Sequence, residues 1–93
     1  MKIGYVYIIA NDRPTLYTGV TSNLKKRIWE HKNKIGSSFT KKYSLHKLIY
    51  FEIIYSIELA IIREKQIKDL NRKEKLQLIR KLNPNLTDLY ATL

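Results

Sequence analysis

The sequence predicts an α+β fold with its elements in the order β-β-α-β-α-α. Three observations carry this. Residues 4–10 form an aromatic and β-branched run, and a short second run follows at residues 16–20 after a turn, both of which suit strands. Residues 48–55 form a third run, apolar on both alternating faces apart from Glu52. Helical spacing appears after Ser22 and again over residues 57–70, and a helix-start signal lies at Asn71.

In the first run, Gly-Tyr-Val-Tyr-Ile-Ile-Ala is broken by Asn11-Asp12-Arg13-Pro14-Thr15, which holds turn formers and a proline unable to donate to a ladder. The two runs then pair as a hairpin. Side chains alternate along a strand, so Tyr5, Tyr7 and Ile9 share one face, as do Tyr17 and Gly19. With a symmetric five-residue loop, opposed residue numbers sum to 26, setting Tyr7 opposite Gly19 with Tyr17 diagonal to it. A glycine facing a tyrosine leaves an open notch, where a backbone can approach closely. Ser22 or Thr21 caps a first helix with Leu24, Ile28 and Ile35 on one stripe, ending near Gly36. His31 falls inside that stripe and Arg27 at its edge, one turn apart, with Lys25, Lys26 and Lys32 on the outer faces. Residues 37–43 read as a loop. Residues 48–55 suit a central strand covered on both sides, added to the hairpin. The helix over 57–70 has Leu59, Ile62 and Leu70 as its core stripe, with Glu64 off the stripe but beside Ala60, Ile61 and Ile67. Asn71-Arg72-Lys73-Glu74 resembles a capping box that starts the last helix, and Asn83-Pro84 stops it.

The 93 residues fit one domain, of 11.1 kDa. Eighteen Lys and Arg against eight Asp and Glu leave a net charge of +10. Such a field on a small body repels itself and points to a polyanionic partner, nucleic acid before an anionic membrane surface. The absence of cysteine excludes a disulfide framework, a zinc ribbon and a thiol nucleophile. His31 and His46 are too few for a metal finger. No apolar run reaches the roughly 20 residues of a membrane span, and no signal-peptide core is read. The expectation is a cytoplasmic basic protein.

Several residues can carry chemistry: Tyr7 and Tyr17 beside Gly19, Arg27 and His31 one turn apart, and the partly sheltered Glu64. Phosphodiester cleavage needs a base for the attacking water, a cation for the developing charge and a metal to polarise the phosphate. A phenol is a weak base at its ordinary pKa of about 10, but adjacent cations can lower it. One carboxylate with waters and substrate phosphate commonly holds Mg²⁺. Each residue also has a packing role open to it. Strand tyrosines and a histidine on an apolar stripe usually pack, an arginine at a stripe edge snorkels, and Glu64 can pair with Lys68.

Tyr5-Val6-Tyr7, with Tyr17-Thr18-Gly19 ten residues on, resembles the paired signature of the GIY-YIG nuclease superfamily. The likeness continues through Asn23-Leu24-Lys25-Lys26-Arg27, His31 and residues 63–68, and the ending at residues 83–89 resembles that of the small stand-alone members. These are related to the N-terminal nuclease domain of the excision-repair incision subunit. The first tripeptide departs from the pattern, since Tyr5-Val6 stands in place of Gly-Ile, with Gly4 one position earlier. The resemblance implies a three-stranded antiparallel sheet flanked by helices, with a catalytic core over about residues 3–70 and a C-terminal helix and tail over 71–93. It also implies metal-dependent hydrolysis of DNA, with Mg²⁺ or Mn²⁺ as cofactor. By the same resemblance Tyr7 is the general base and Tyr17 positions or deprotonates the water, although either phenol can be the base. Arg27 stabilises the phosphorane charge, His31 hydrogen-bonds the nucleophile side or relays a proton, and Glu64 binds the metal. The family's late asparagine matches Asn83 or Asn85.

Expected nucleic-acid contacts are Lys26, Lys41, Lys42 and Tyr43, with Phe39 adding an aromatic face, and Arg72 and Lys73 at a helix start. No separate site-selecting domain is expected in 93 residues, so specificity is expected to come from this surface, from a partner or from substrate shape. The leading function is a metal-dependent DNA endonuclease acting on single-stranded or distorted DNA, with DNA repair as its setting. The alternatives are a catalytically silent nucleic-acid-binding module and an adaptor of a repair or recombination complex. A protein partner or homodimer stays open.

Overall fold

The first two strands, β1 (Gly4–Ala10) and β2 (Leu16–Thr21), pair antiparallel with Tyr7 opposite Gly19 and Val6 opposite Val20. The symmetric loop thus sets the register that the sequence predicts. The computed structural model describes residues 2–35 and 37–93. A third strand, β3 (Lys47–Ile54), pairs antiparallel with the other edge of β1, giving the sheet order β2-β1-β3. The expected central position of β3 is therefore corrected, because β1 lies in the middle and β3 at an edge. All the residues from Val6 to Ala10 are buried, and strand β1 is the one covered on both faces. In β3, Glu52 is held by a bidentate ion pair to Arg63, with both N···O distances 2.9 Å. The outer edge of β3 is closed by the C-terminal segment. The Leu89 N–H donates to the Leu48 carbonyl at 2.7 Å, and the Leu48 N–H donates to Asp88 Oδ1 at 3.1 Å.

Helices cover both sheet faces. On one side α1 (Leu24–Lys32) buries Leu24 and Ile28 against Tyr7, Ile9 and Leu48. Its N-cap is Asn23, whose side chain accepts from the Lys26 N–H, rather than Ser22 or Thr21. The helix stops at Lys32, so Ile35 is 58% exposed and lies outside the stripe assigned to it. Gly36, expected near the helix end, lies outside the described residues. Residues 37–43, read as a loop, contain a short helix α2 (Ser38–Lys42) capped by Ser37.

On the opposite face α3 (Ile57–Lys68) and α4 (Arg72–Leu82) pack on Val6, Ile8 and Ala10 through Ala60, Ile67 and Ile79. The stripe expected on α3 is the wrong one. Leu59 is 57% and Ile62 52% exposed, whereas Ala60 and Ile67 are fully buried. The sheet decides this. A Cβ on Gly4 would lie 2.5 Å from the Ala60 Cβ, so helix and strand approach at a contact that only small residues permit. Helix α4 begins with the capping box read from the sequence, Asn71 and Glu74 each closing on the other's backbone N–H at 2.9 Å.

Candidate active site

The β1–β2 pairing fixes where the Tyr7 ring goes. It lies across Gly19, and a Cβ built there would meet Tyr7 Cζ and Oη at 2.5 Å each. The notch is present but not open, since the phenol itself fills it. Helix α1 starts directly after β2 and brings His31 to the same spot. Tyr7 Oη and His31 Nε2 are 3.0 Å apart, and both side chains are buried, Tyr7 at 1% and His31 at 3% exposure. The second ring nitrogen, His31 Nδ1, lies 3.1 Å from Thr40 Oγ1 on α2. Tyr17 packs near this pair, its ring centroid 6.0 Å from that of His31.

The electrostatics follow from burial. Desolvation pushes the Tyr7 phenol up to about 12, opposed by the adjacent Arg27 guanidinium and reinforced more weakly by Tyr17 and Glu64. The expectation that neighbouring cations lower a tyrosine is therefore not met at Tyr7, where burial outweighs Arg27. Burial likewise pushes His31 down to about 4, helped by the Arg27 charge and opposed by Glu30. Near neutral pH the two groups form an uncharged hydrogen-bonded pair. Arg27, half-buried, pairs with Glu30 at 3.3 Å. Glu64 is partly covered and faces Lys68 at 3.6 Å.

Among the described residues no group of three or more His, Asp or Glu side chains could hold a metal ion. The carboxylate expected to bind one, Glu64, is 14% exposed at its side chain and close enough to Tyr7 to raise that phenol. A single carboxylate beside a phosphate-sized substrate suits Mg²⁺, which usually keeps waters and shares substrate oxygens; it does not make a closed all-protein cage.

The structure gathers Tyr7, Tyr17, Arg27 and His31, with Glu64 within electrostatic reach. Asn83 is placed differently. Its Nδ2 donates to the Ile49 and Thr87 carbonyls at 2.9 Å each, and its Oδ1 accepts from the Thr87 N–H and hydroxyl. That amide is fully used in tying the C-terminal segment to β3. Arg72 also has a partner within the fold, donating to the Pro14 carbonyl at 2.7 Å, while Lys73 and Lys26 are exposed.

Beside Tyr17 the aromatic rings continue outward. Phe39 lies 6.0 Å from Tyr17, and Tyr43 lies 4.8 Å from Phe39. Lys42 sits over the Tyr43 ring at 5.4 Å, and Lys41 is exposed on the same short helix. A cleft of about 360 Å³ at Tyr43 is lined by Asn11, Arg13, Lys42 and His46 among others. Thr40 was missed in the sequence. The usable signal was Ser37 three residues before it, a helix-start spacing too short-lived to stand out from a loop.

Comparison with known proteins agrees with the fold. A GIY-YIG catalytic domain model matches residues 3–77. A UPF0213 protein from Syntrophus aciditrophicus is 46% identical over 85 residues, covering 90% of this chain and 97% of that one. A second, from Clostridium perfringens, is 46% identical over 77 residues and 83% of each chain. The solution NMR structure of a UPF0213 protein from Bacillus halodurans matches with a TM-score of 0.59 and 29% identity, covering 89% of this chain and 88% of that one. Tyr7, Tyr17, Arg27, His31 and Glu64 all fall within the matched domain, and the chain belongs to the GIY-YIG family, in its UPF0213 group.

Proposed function

We propose that the protein is a metal-dependent endonuclease that hydrolyses DNA phosphodiester bonds. The observation that carries this reading is the buried, uncharged Tyr7–His31 pair beside Arg27. In this reading the Tyr7 phenol, 3.0 Å from His31 Nε2, acts as a relay. As the water oxygen attacks phosphorus, its proton passes to Tyr7 Oη while the Tyr7 proton passes to His31 Nε2. The phosphorus–oxygen bond to the leaving sugar breaks, and that oxygen takes a proton from solvent. His31 ends as an imidazolium and returns its proton to solvent through the same pair. Arg27 faces the negative charge that builds on the phosphorane oxygens. Tyr17, half-buried beside the pair, orients the water. Glu64 would hold Mg²⁺ or Mn²⁺ together with phosphate oxygens, and the ion would supply Lewis-acid stabilisation of the phosphate. In this reading Asn83 is a brace for β3 rather than a contact to substrate.

The row Tyr17, Phe39 and Tyr43, flanked by Lys41 and Lys42, supports single-stranded or distorted DNA as the preferred form. Exposed rings stack on unpaired bases whatever their sequence. Lys26 and Lys73 add phosphate contacts, and Arg72 does so less, its guanidinium being engaged by Pro14. A cytoplasmic role in DNA repair belongs to the same proposal. The test is cleavage of end-labelled DNA with Mg²⁺, with Mn²⁺ and with chelator. Glu64→Ala should abolish metal-dependent products and leave binding largely intact; equal cleavage by this variant would remove Glu64 from the metal role. The silent binding module is the second reading, favoured by the charge of +10, and it predicts tight binding with no products.

A further inference from the structure

Thr40 lies outside the motif residues, yet it is 2% exposed and is the partner of the inner nitrogen of His31. A hydroxyl has one hydrogen to give. Thr40 Oγ1 lies 3.0 Å from the Ser37 carbonyl oxygen, and a carbonyl only accepts. The Thr40 hydrogen is therefore spent on Ser37, and toward His31 the Thr40 oxygen can only accept. That requires the hydrogen of the neutral imidazole on Nδ1, which leaves the Nε2 lone pair facing Tyr7 Oη at 3.0 Å. The opposite tautomer would set two oxygens 3.0 Å apart with no hydrogen between them, and its Nε2–H would occupy the phenol oxygen.

We propose that Thr40, anchored by the Ser37 carbonyl, is a positioning residue that fixes the Nδ1–H tautomer of His31 and so makes Tyr7 the donor to Nε2. The consequence for catalysis rests on the nuclease reading above. With Tyr7 donating, its oxygen keeps lone pairs for the proton of the attacking water, and His31 is ready to receive the proton that Tyr7 gives up. With the other tautomer the relay has no empty end. Thr40 acts only through His31, and its place on α2 makes that short helix part of the site rather than a loose connection.

The experiment pairs a spectroscopic readout with a kinetic one on the full chain. Long-range ¹H–¹⁵N NMR near neutral pH separates protonated from unprotonated ring nitrogens, and the chain has only His31 and His46, so His46→Gln assigns the spectrum. Wild type and Thr40→Ser should show His31 with the hydrogen on Nδ1. Thr40→Val, nearly the same shape without the hydroxyl, should shift His31 towards the Nε2–H form. For cleavage, Thr40→Val should lower kcat about tenfold or more with KM little changed, a share of the roughly 10²–10⁴ that acid–base catalysis supplies, and Thr40→Ser should restore it. A wild-type His31 protonated on Nε2, or an unchanged tautomer in Thr40→Val, would overturn the assignment. So would a shifted tautomer with undiminished kcat. If the wild type cuts no DNA with any metal, the nuclease reading fails, and the NMR arm still decides the role of Thr40.

Discussion

Gly19 stands where the Tyr7 phenol needs room, and this contact links sequence to site most directly. An added Cβ would sit 2.5 Å from Cζ and Oη of Tyr7, far inside contact distance, so Gly19→Ala must move the ring away from His31. A misplacement of about 1 Å in a reacting group can cost roughly 100-fold. Gly19→Ala should therefore lower kcat by about that factor while the far-ultraviolet circular dichroism stays that of wild type; full activity would show that the phenol need not lie there. His31 gives a second prediction. Its folded pKa of about 4 lies below the ordinary 6.5, so the unfolded chain takes up the proton first. Its contribution to stability is fully present above pH 6.5 and is lost as pH falls toward 4. Urea unfolding of wild type should weaken over that window by of the order of 2 kcal/mol more than that of His31→Gln. Parallel curves for the two proteins would place His31 in solvent. At this scale the sequence was largely legible. The pairing of Tyr7 with Gly19 follows from alternation and loop symmetry, both local. The pKa of Tyr7 was not legible, because burial by α1 and β3 comes from residues far along the chain and overrides the visible cation Arg27.

Helices were readable where a cap or a stop is written locally and misread where the sheet chooses the face. Asn71 and Glu74 announce α4, and the box forms as expected. Asn71→Ala should cost about 1 kcal/mol in thermal or urea unfolding; no change would mean that packing alone holds the start of α4. In α3 the large residues Leu59 and Ile62 look like the core stripe, yet Ala60 faces the sheet because Gly4 and Ala60 bring strand and helix together. Nothing in the helix alone reports a neighbour on β1. Gly4→Ala should destabilise by about 1–3 kcal/mol through overpacking, with the site geometry unchanged. A neutral result would mean that α3 can slide outward freely. Helix α2 was missed for a related reason: five residues give too little periodicity, and its purpose is seen only when Thr40 meets His31.

Across the whole molecule the charge of +10 needs a polyanion to offset its self-repulsion, and the aromatic row beside Tyr17 gives that partner a direction of approach. DNA binding should weaken steeply with salt, as counterions are released from each phosphate contacted. A flat dependence would instead indicate an adaptor that meets proteins through its exposed apolar residues. The fold order was visible in the sequence; the order of strands within the sheet was not, because an apolar β3 reads the same at the centre as at an edge closed by residues 83–89. The relay through Tyr7 and His31 is tested most directly by cleavage of end-labelled single-stranded and duplex DNA by the wild type and by Tyr7→Phe, each with Mn²⁺ and with chelator. The wild type should give metal-dependent products, more on single strands, and Tyr7→Phe should lose at least about 100-fold. Undiminished cleavage by Tyr7→Phe would contradict the relay through Tyr7 and His31.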